Sequence, residues 1–221
     1  MRTRISLAIA LLAAGSMVVA AQSAPIQASR HNDPPPPDLA PAIAQQLASG
    51  GVRAVAGPLT LTFWWVKALP LGEGSGPAAW SAVPEGSLVG AVKLAGDGQD
   101  IRGRVVKAGV YTLRYGIQPA NGDHLGVSPY RDFLLICPAA LDKAAAPTGH
   151  DGAIDLSKQT IGGSHPAVWS LDPPETTEPL LSVHTTDLGH KSLIMEVPAS
   201  RAGASAGALR FGLVLIGKIE A

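Results

Sequence analysis

Leu59-Thr60-Leu61-Thr62-Phe63-Trp64-Trp65 alternates apolar and polar side chains with a period of two. That period belongs to a strand with one covered face, because successive Cβ atoms point to opposite sides of a sheet. Leu59, Leu61, Phe63 and Trp65 share one face; Thr60, Thr62 and Trp64 share the other. Adjacent tryptophans cannot both enter the same core, so one enters and the other is either covered by a short N-terminal helix, the expected arrangement, or exposed as a surface for carbohydrate stacking or a partner. The same reading continues along the chain. Strands are expected at Ser87–Ala95, Ile101–Val106, Tyr111–Ile117, Phe133–Cys137, Ala167–Leu171, Leu180–Thr186, Ser192–Val197 and Leu209–Lys218. Turn signals such as Gly96-Asp97-Gly98 and Lys107-Ala108-Gly109 separate them. Short helical pieces are expected at Pro41–Ser49, within Ala139–Ala146 and at Asp155–Ile161. About nine short strands without full crossover helices between them define an all-β chain, an antiparallel β-sandwich rather than a parallel sheet.

Composition limits the function classes. The 221 residues carry 17 Lys+Arg against 17 Asp+Glu, which argues against a nucleic-acid binder, since such proteins need a basic surface. A single cysteine can close no intramolecular disulfide and build no Cys-rich zinc site. Cys137 stands in the apolar run Leu134-Leu135-Ile136 and reads as a small buried hydrophobe.

The first residues read as an address. Arg2 and Arg4 precede the apolar Ile5–Ala14 stretch, and Val19-Ala20-Ala21 supplies small residues at both recognition positions of a signal peptidase. Residues 1–21 are therefore expected to be a secretory signal peptide, with Ala20 and Ala24 as alternative cleavage points. Its removal takes away two arginines and no acids, leaving 15 basic against 17 acidic residues. No later segment is apolar enough to span a bilayer as a helix, so the product is expected to be exported, soluble, and periplasmic or extracellular. Residues 22–50 hold the polyproline run Asp33-Pro34-Pro35-Pro36-Pro37-Asp38, read as a stalk, and the short helix; residues 51–221 are expected to form one β-sandwich domain.

Register sharpens the hairpin of Leu180–Thr186 and Ser192–Val197. A two-residue loop would put Leu181 opposite Glu196 and bury a carboxylate. An odd loop instead pairs Val183 with Met195 and Leu181 with Val197. His184, Ser182 and Glu196 then share the other face, with His184 and Glu196 in diagonal apposition.

The stretch Lys107-Ala108-Gly109-Val110-Tyr111-Thr112-Leu113-Arg114-Tyr115 resembles the turn-strand element of secreted immunoglobulin-like and prealbumin-like β-sandwich modules. It spans nine residues and carries no catalytic residue to transfer. The resemblance implies the same architecture that the periodicity gives.

Three chemistries compete. Gly203-Ala204-Ser205-Ala206-Gly207 spells a nucleophile elbow, but a strand rather than a helix follows it, and neither His nor Asp lies beyond Ser205. It reads as a small-residue hairpin loop. The loop Gln118–Asp132 gathers His124, Tyr130, Arg131 and Asp132, which could grip a small ligand or a protein partner, or serve structure, the favoured reading, with Arg131 paired to Asp132 or Asp123 and Tyr130 plugging the end of the sandwich. The histidines lack metal-ligand spacing in sequence, yet strands can bring distant ligands together, and His184, His190 and Glu196 are the candidate set for copper or zinc. The leading expectation is a non-catalytic, cofactor-free binding module acting through the Gln118–Asp132 loop. The alternative is a periplasmic metal-binding protein or metal-assisted enzyme.

Overall fold

The computed structural model describes residues 25–74, 79–118, 130–173 and 177–217. Among them are strands β1 (Gln27–His31), β2 (Gly51–Ala56), β3 (Leu59–Trp65), β4 (Leu69–Leu71), β5 (Leu88–Ala95), β6 (Gly98–Gln99) and β7 (Val105–Val106). They continue with β8 (Gly109–Ile117), β9 (Asp132–Pro138), β10 (Val168–Asp172), β11 (Val183–Thr185), β12 (Lys191–Arg201) and β13 (Ala204–Ile216). Helices α1 (Pro41–Ala44) and α2 (Gly149–Ile161) and one 3-10 turn, Trp80–Ala82, complete the list.

The alternating stretch becomes β3 with the expected bounds. Its neighbours follow in the order β1-β2-β3-β5-β8-β9-β10-β13-β12-β11, one continuous sheet. Every ladder along this path is antiparallel, whereas β4 joins β12 in parallel, so the sheet is mixed. The class is all-β. The sheet curls until its two halves meet: Trp65 of β3 packs edge-on against Phe211 of β13 at 5.3 Å, and Phe63 packs against Trp169 of β10 at 6.1 Å. The short β4 carries the chain from β3 across to the far side of β12, linking the first half of the sheet to the last.

The two tryptophans separate as their parity requires. Trp65 stacks on Phe63 in the interior at 5.3 Å. Trp64 turns outward, meets the ring of His31 at 5.2 Å and donates its indole N–H to the Asp33 carbonyl at 2.8 Å. Its cover is thus β1 and the start of the proline run, while α1 sends Ile43 into the core beside it. The proline run does not stand off as a stalk: Pro36 and Leu39 are buried against the sheet. The main core fills the concave side, and a second, smaller core lies under α2, where Ala153 meets Ile101, Leu135, Cys137, Val168 and Val214.

Several elements depart from the sequence expectation. Of Ile101–Val106 only Val105 and Val106 are strand, as β7, because the Asp100 carboxylate accepts the backbone N–H groups of Arg102 and Arg104 and folds the residues before them into a turn between β6 and β7. Ala139–Ala146 forms turns instead of helix. The Gly203–Gly207 run is no loop: Ala202 and Gly203, both at positive φ, make the turn, and Ser205 pairs with Ser200 in the β12–β13 ladder. In the β11–β12 hairpin the parity is as expected but the register is two residues away, with Val183 opposite Leu193 and His184 opposite Ser192. The hairpin closes through Thr186 N–H donating to the His190 carbonyl at 2.9 Å, which leaves Asp187, Leu188 and Gly189 as the loop.

Candidate functional site

β8 and β9 are joined by the Gln118–Asp132 loop, whose ends the sheet holds. His124 lies outside the described residues. Arg131 donates from Nε and Nη2 to the Gln118 carbonyl, at 3.0 and 2.7 Å, so its guanidinium closes the base of its own loop. Asp132 accepts the Tyr115 phenol at 2.5 Å. Burial first, and then that bond to a carboxylate, push the Tyr115 pKa far above the ordinary tyrosine value. Tyr130 leans the other way, onto β10. Burial, the charge of Asp172, a hydrogen bond to Asp172 and the charge of Asp187 all raise the pKa of its phenol.

Asp172 ends β10 on the convex side of the sheet and is buried. Its Oδ2 accepts the Ser192 hydroxyl at 2.8 Å, although β13 runs between their strands. The bond is feasible because the intervening residue is Gly212, which pairs with Asp172 on one side and Ile194 on the other. A Cβ at Gly212 would stand 3.0 Å from Ser192 Cβ and 3.2 Å from Asp172 Cβ, closing the gap they reach across. The result is a chain of polar groups, Tyr130–Asp172–Ser192, that fastens the loop to the convex face.

His184 sits opposite Ser192 in the next ladder. Its Nδ1 lies 2.5 Å from Glu178 Oε1, which orients the ring and leaves a side chain 41% exposed. The Glu178 carbonyl in turn accepts from the Arg210 guanidinium. The three expected metal ligands do not come together. Glu196 lies opposite Arg210 in the β12–β13 ladder, well along β12 from Ser192, the partner of His184, and His190 turns its ring toward Gly217. Among the described residues no group of three His, Cys, Asp or Glu side chains could hold a metal ion. The thiol of Cys137 is buried, and burial raises its pKa well above the usual cysteine value.

Glu178, Asp172 and Ser192 had no signal in the sequence. Asp172 and Ser192 meet across β13, from strands that are not adjacent in the chain, and Glu178 acts through His184. A concavity of about 410 Å³ lies at one end of the half-barrel, lined by Leu59, Leu61, Val105, Trp169 and Ile216. Its polar groups are already engaged, Asp97 with Lys107 at 2.8 Å and the Trp169 indole with the Gln99 carbonyl at 2.9 Å. The chain matches no known family model, no curated protein and no solved structure.

Proposed function

We propose that this protein is an exported, non-catalytic binding module that takes a small ligand or a protein partner on the convex face formed by Tyr130, Asp172, Ser192 and His184. In this reading the curled sheet serves as the framework does in immunoglobulin-like and prealbumin-like sandwiches, a rigid support that presents loops. The observation that carries it is the Tyr130–Asp172–Ser192 chain, which anchors one long loop beside an oriented, half-exposed imidazole. Ligand sites combine a fixed scaffold with a few convergent polar groups, and this face supplies both. Export rests on the order of charged, apolar and small residues in 1–21.

The test is a fragment screen on uniformly ¹⁵N-labelled mature protein, read by amide shifts. Perturbations gathered on Gln118, Tyr130, Asp172, His184 and Ser192 support the proposal. Perturbations confined to the cleft around Trp169, or absent altogether, overturn it. Edman sequencing of protein secreted from a bacterial host checks the export step, with a new N-terminus at Gln22 as the expected result.

A further inference from the structure

Burying a carboxylate removes water that stabilised its charge, and a cation is the usual replacement. Three aspartates are buried among the described residues: Asp100, Asp142 and Asp172. Asp142 is chelated by Arg114, with Nε to Oδ2 and Nη2 to Oδ1 both at 2.7 Å. Asp100 is chelated by Arg104, with Nε at 2.9 Å and Nη2 at 2.5 Å. Asp172 differs. Its partners are two hydroxyls, Ser192 and Tyr130, and no Lys, Arg or His among the described residues stands within salt-bridge distance of it.

The surroundings do not make good the missing charge. A second carboxylate, Asp187 in the β11–β12 loop, acts on the same Tyr130 phenol. The basic side chains of the adjoining strands are held elsewhere, Lys191 on the Thr185 hydroxyl at 2.7 Å and Arg210 on the Glu178 carbonyl. Tyr130 also offers an aromatic ring beside the carboxylate, and a ring face attracts cations.

From this contrast between two neutralised carboxylates and one with no cation among the described residues, we infer that Asp172 is the anchor of a site for an organic cation, a primary ammonium on an alkyl chain. The inference rests on the proposed binding face and names the chemistry of its ligand. The ammonium takes the place at Asp172 that arginine holds at Asp142 and Asp100. The half-buried Tyr130 gives up its bond to Asp172 and lays its ring along the alkyl chain. Ser192 keeps its bond and fixes the carboxylate.

The experiment titrates mature protein with cadaverine, a free diamine, and separately with Nα-acetyl-lysine methylamide, a lysine side chain in a peptide setting. Pentanol is the uncharged control, and the amide shifts of Tyr130 and Ser192 are the readout. Saturable shifts with either amine and none with pentanol support the site. The tighter of the two tells a free amine from a protein lysine. Asp172→Asn retains the shape and removes the charge, and it should weaken amine binding by at least about tenfold. Tyr130→Phe leaves the ring but releases the carboxylate, and it should tighten binding. Amine binding unchanged in Asp172→Asn, or unchanged or weakened in Tyr130→Phe, overturns the inference. If neutral fragments perturb the face and neither amine does, the cation site falls while the binding face stands.

Discussion

Arg114 shows how far one side chain can be committed to structure. All five of its N–H groups are spent: two on Asp142, and the others on the carbonyls of Gly86, Ala146 and Ala144. Thr112 adds its hydroxyl to Asp142 at 2.5 Å. The turns after β9 are thereby pinned to β8 without regular secondary structure. Removing one member leaves the other as a buried charge with no counter-ion. Asp142→Ala should therefore lower unfolding stability by about 3–5 kcal/mol in urea denaturation. The paired replacement Arg114→Met with Asp142→Leu should cost less than either single change, since no charge is left stranded. Asp100 and Arg104 share the chemistry but not the burial, because the Arg104 side chain is 30% exposed. Asp100→Ala should accordingly cost less than Asp142→Ala, and equal losses for the two would contradict a burial-based account.

At the scale of elements, two backbone positions carry clear consequences. The β12–β13 turn uses Ala202 at φ +49° and Gly203 at φ +80°, the signature of a type I′ hairpin. Alanine is strained there, whereas asparagine tolerates the left-handed region. Ala202→Asn should raise stability by about 0.5–1 kcal/mol, seen as a higher denaturation midpoint with unchanged slope. Gly212→Ala works in the opposite sense, crowding Asp172 and Ser192 apart for a loss of about 1–3 kcal/mol.

The elements also show why some of the fold is legible and some is not. β3, β5, β8, β9 and β10 announce themselves by alternation or by short apolar runs, and the structure places them within a few residues of expectation. Gln27–His31 has no such pattern; pairing with β2 makes it a strand, so its own residues cannot reveal it. Leu69–Leu71 is a strand only because the curl of the sheet delivers it to β12, and Pro70 disguises it further. The candidate site divides in the same manner. Tyr130 and His184 stand out as chemistry in sequence, but the Asp172–Ser192 pair that Tyr130 joins depends on β10 lying next to β13, a neighbour relation that no local pattern encodes.

For the molecule as a whole, the tyrosines form a natural reporter of folding. The chain has three, and burial, the largest cause in each case, raises the pKa of Tyr111, Tyr115 and Tyr130 above the ordinary tyrosine value. The unfolded chain loses its phenolic protons near pH 10, while the folded chain keeps them. Between those limits the native state binds more protons than the unfolded state, so stability falls as pH rises above about 10. Below that value both states are protonated and the tyrosines leave stability unchanged. Tyrosinate absorbance at 295 nm should therefore stay low in the native protein past pH 10. It should then rise together with loss of the near-ultraviolet circular dichroism, because ionisation and unfolding are one event. Tyr115→Phe removes the most strongly shifted phenol and should shrink the alkaline loss of stability, at the expense of its bond to Asp132 at neutral pH. Absorbance that rises smoothly through pH 10 with the dichroism intact would mean that these rings are open to water. The packing of Tyr115 beneath Trp80 and against Asp132 would then be refuted, and with it the anchoring of the loop base on which the convex face depends.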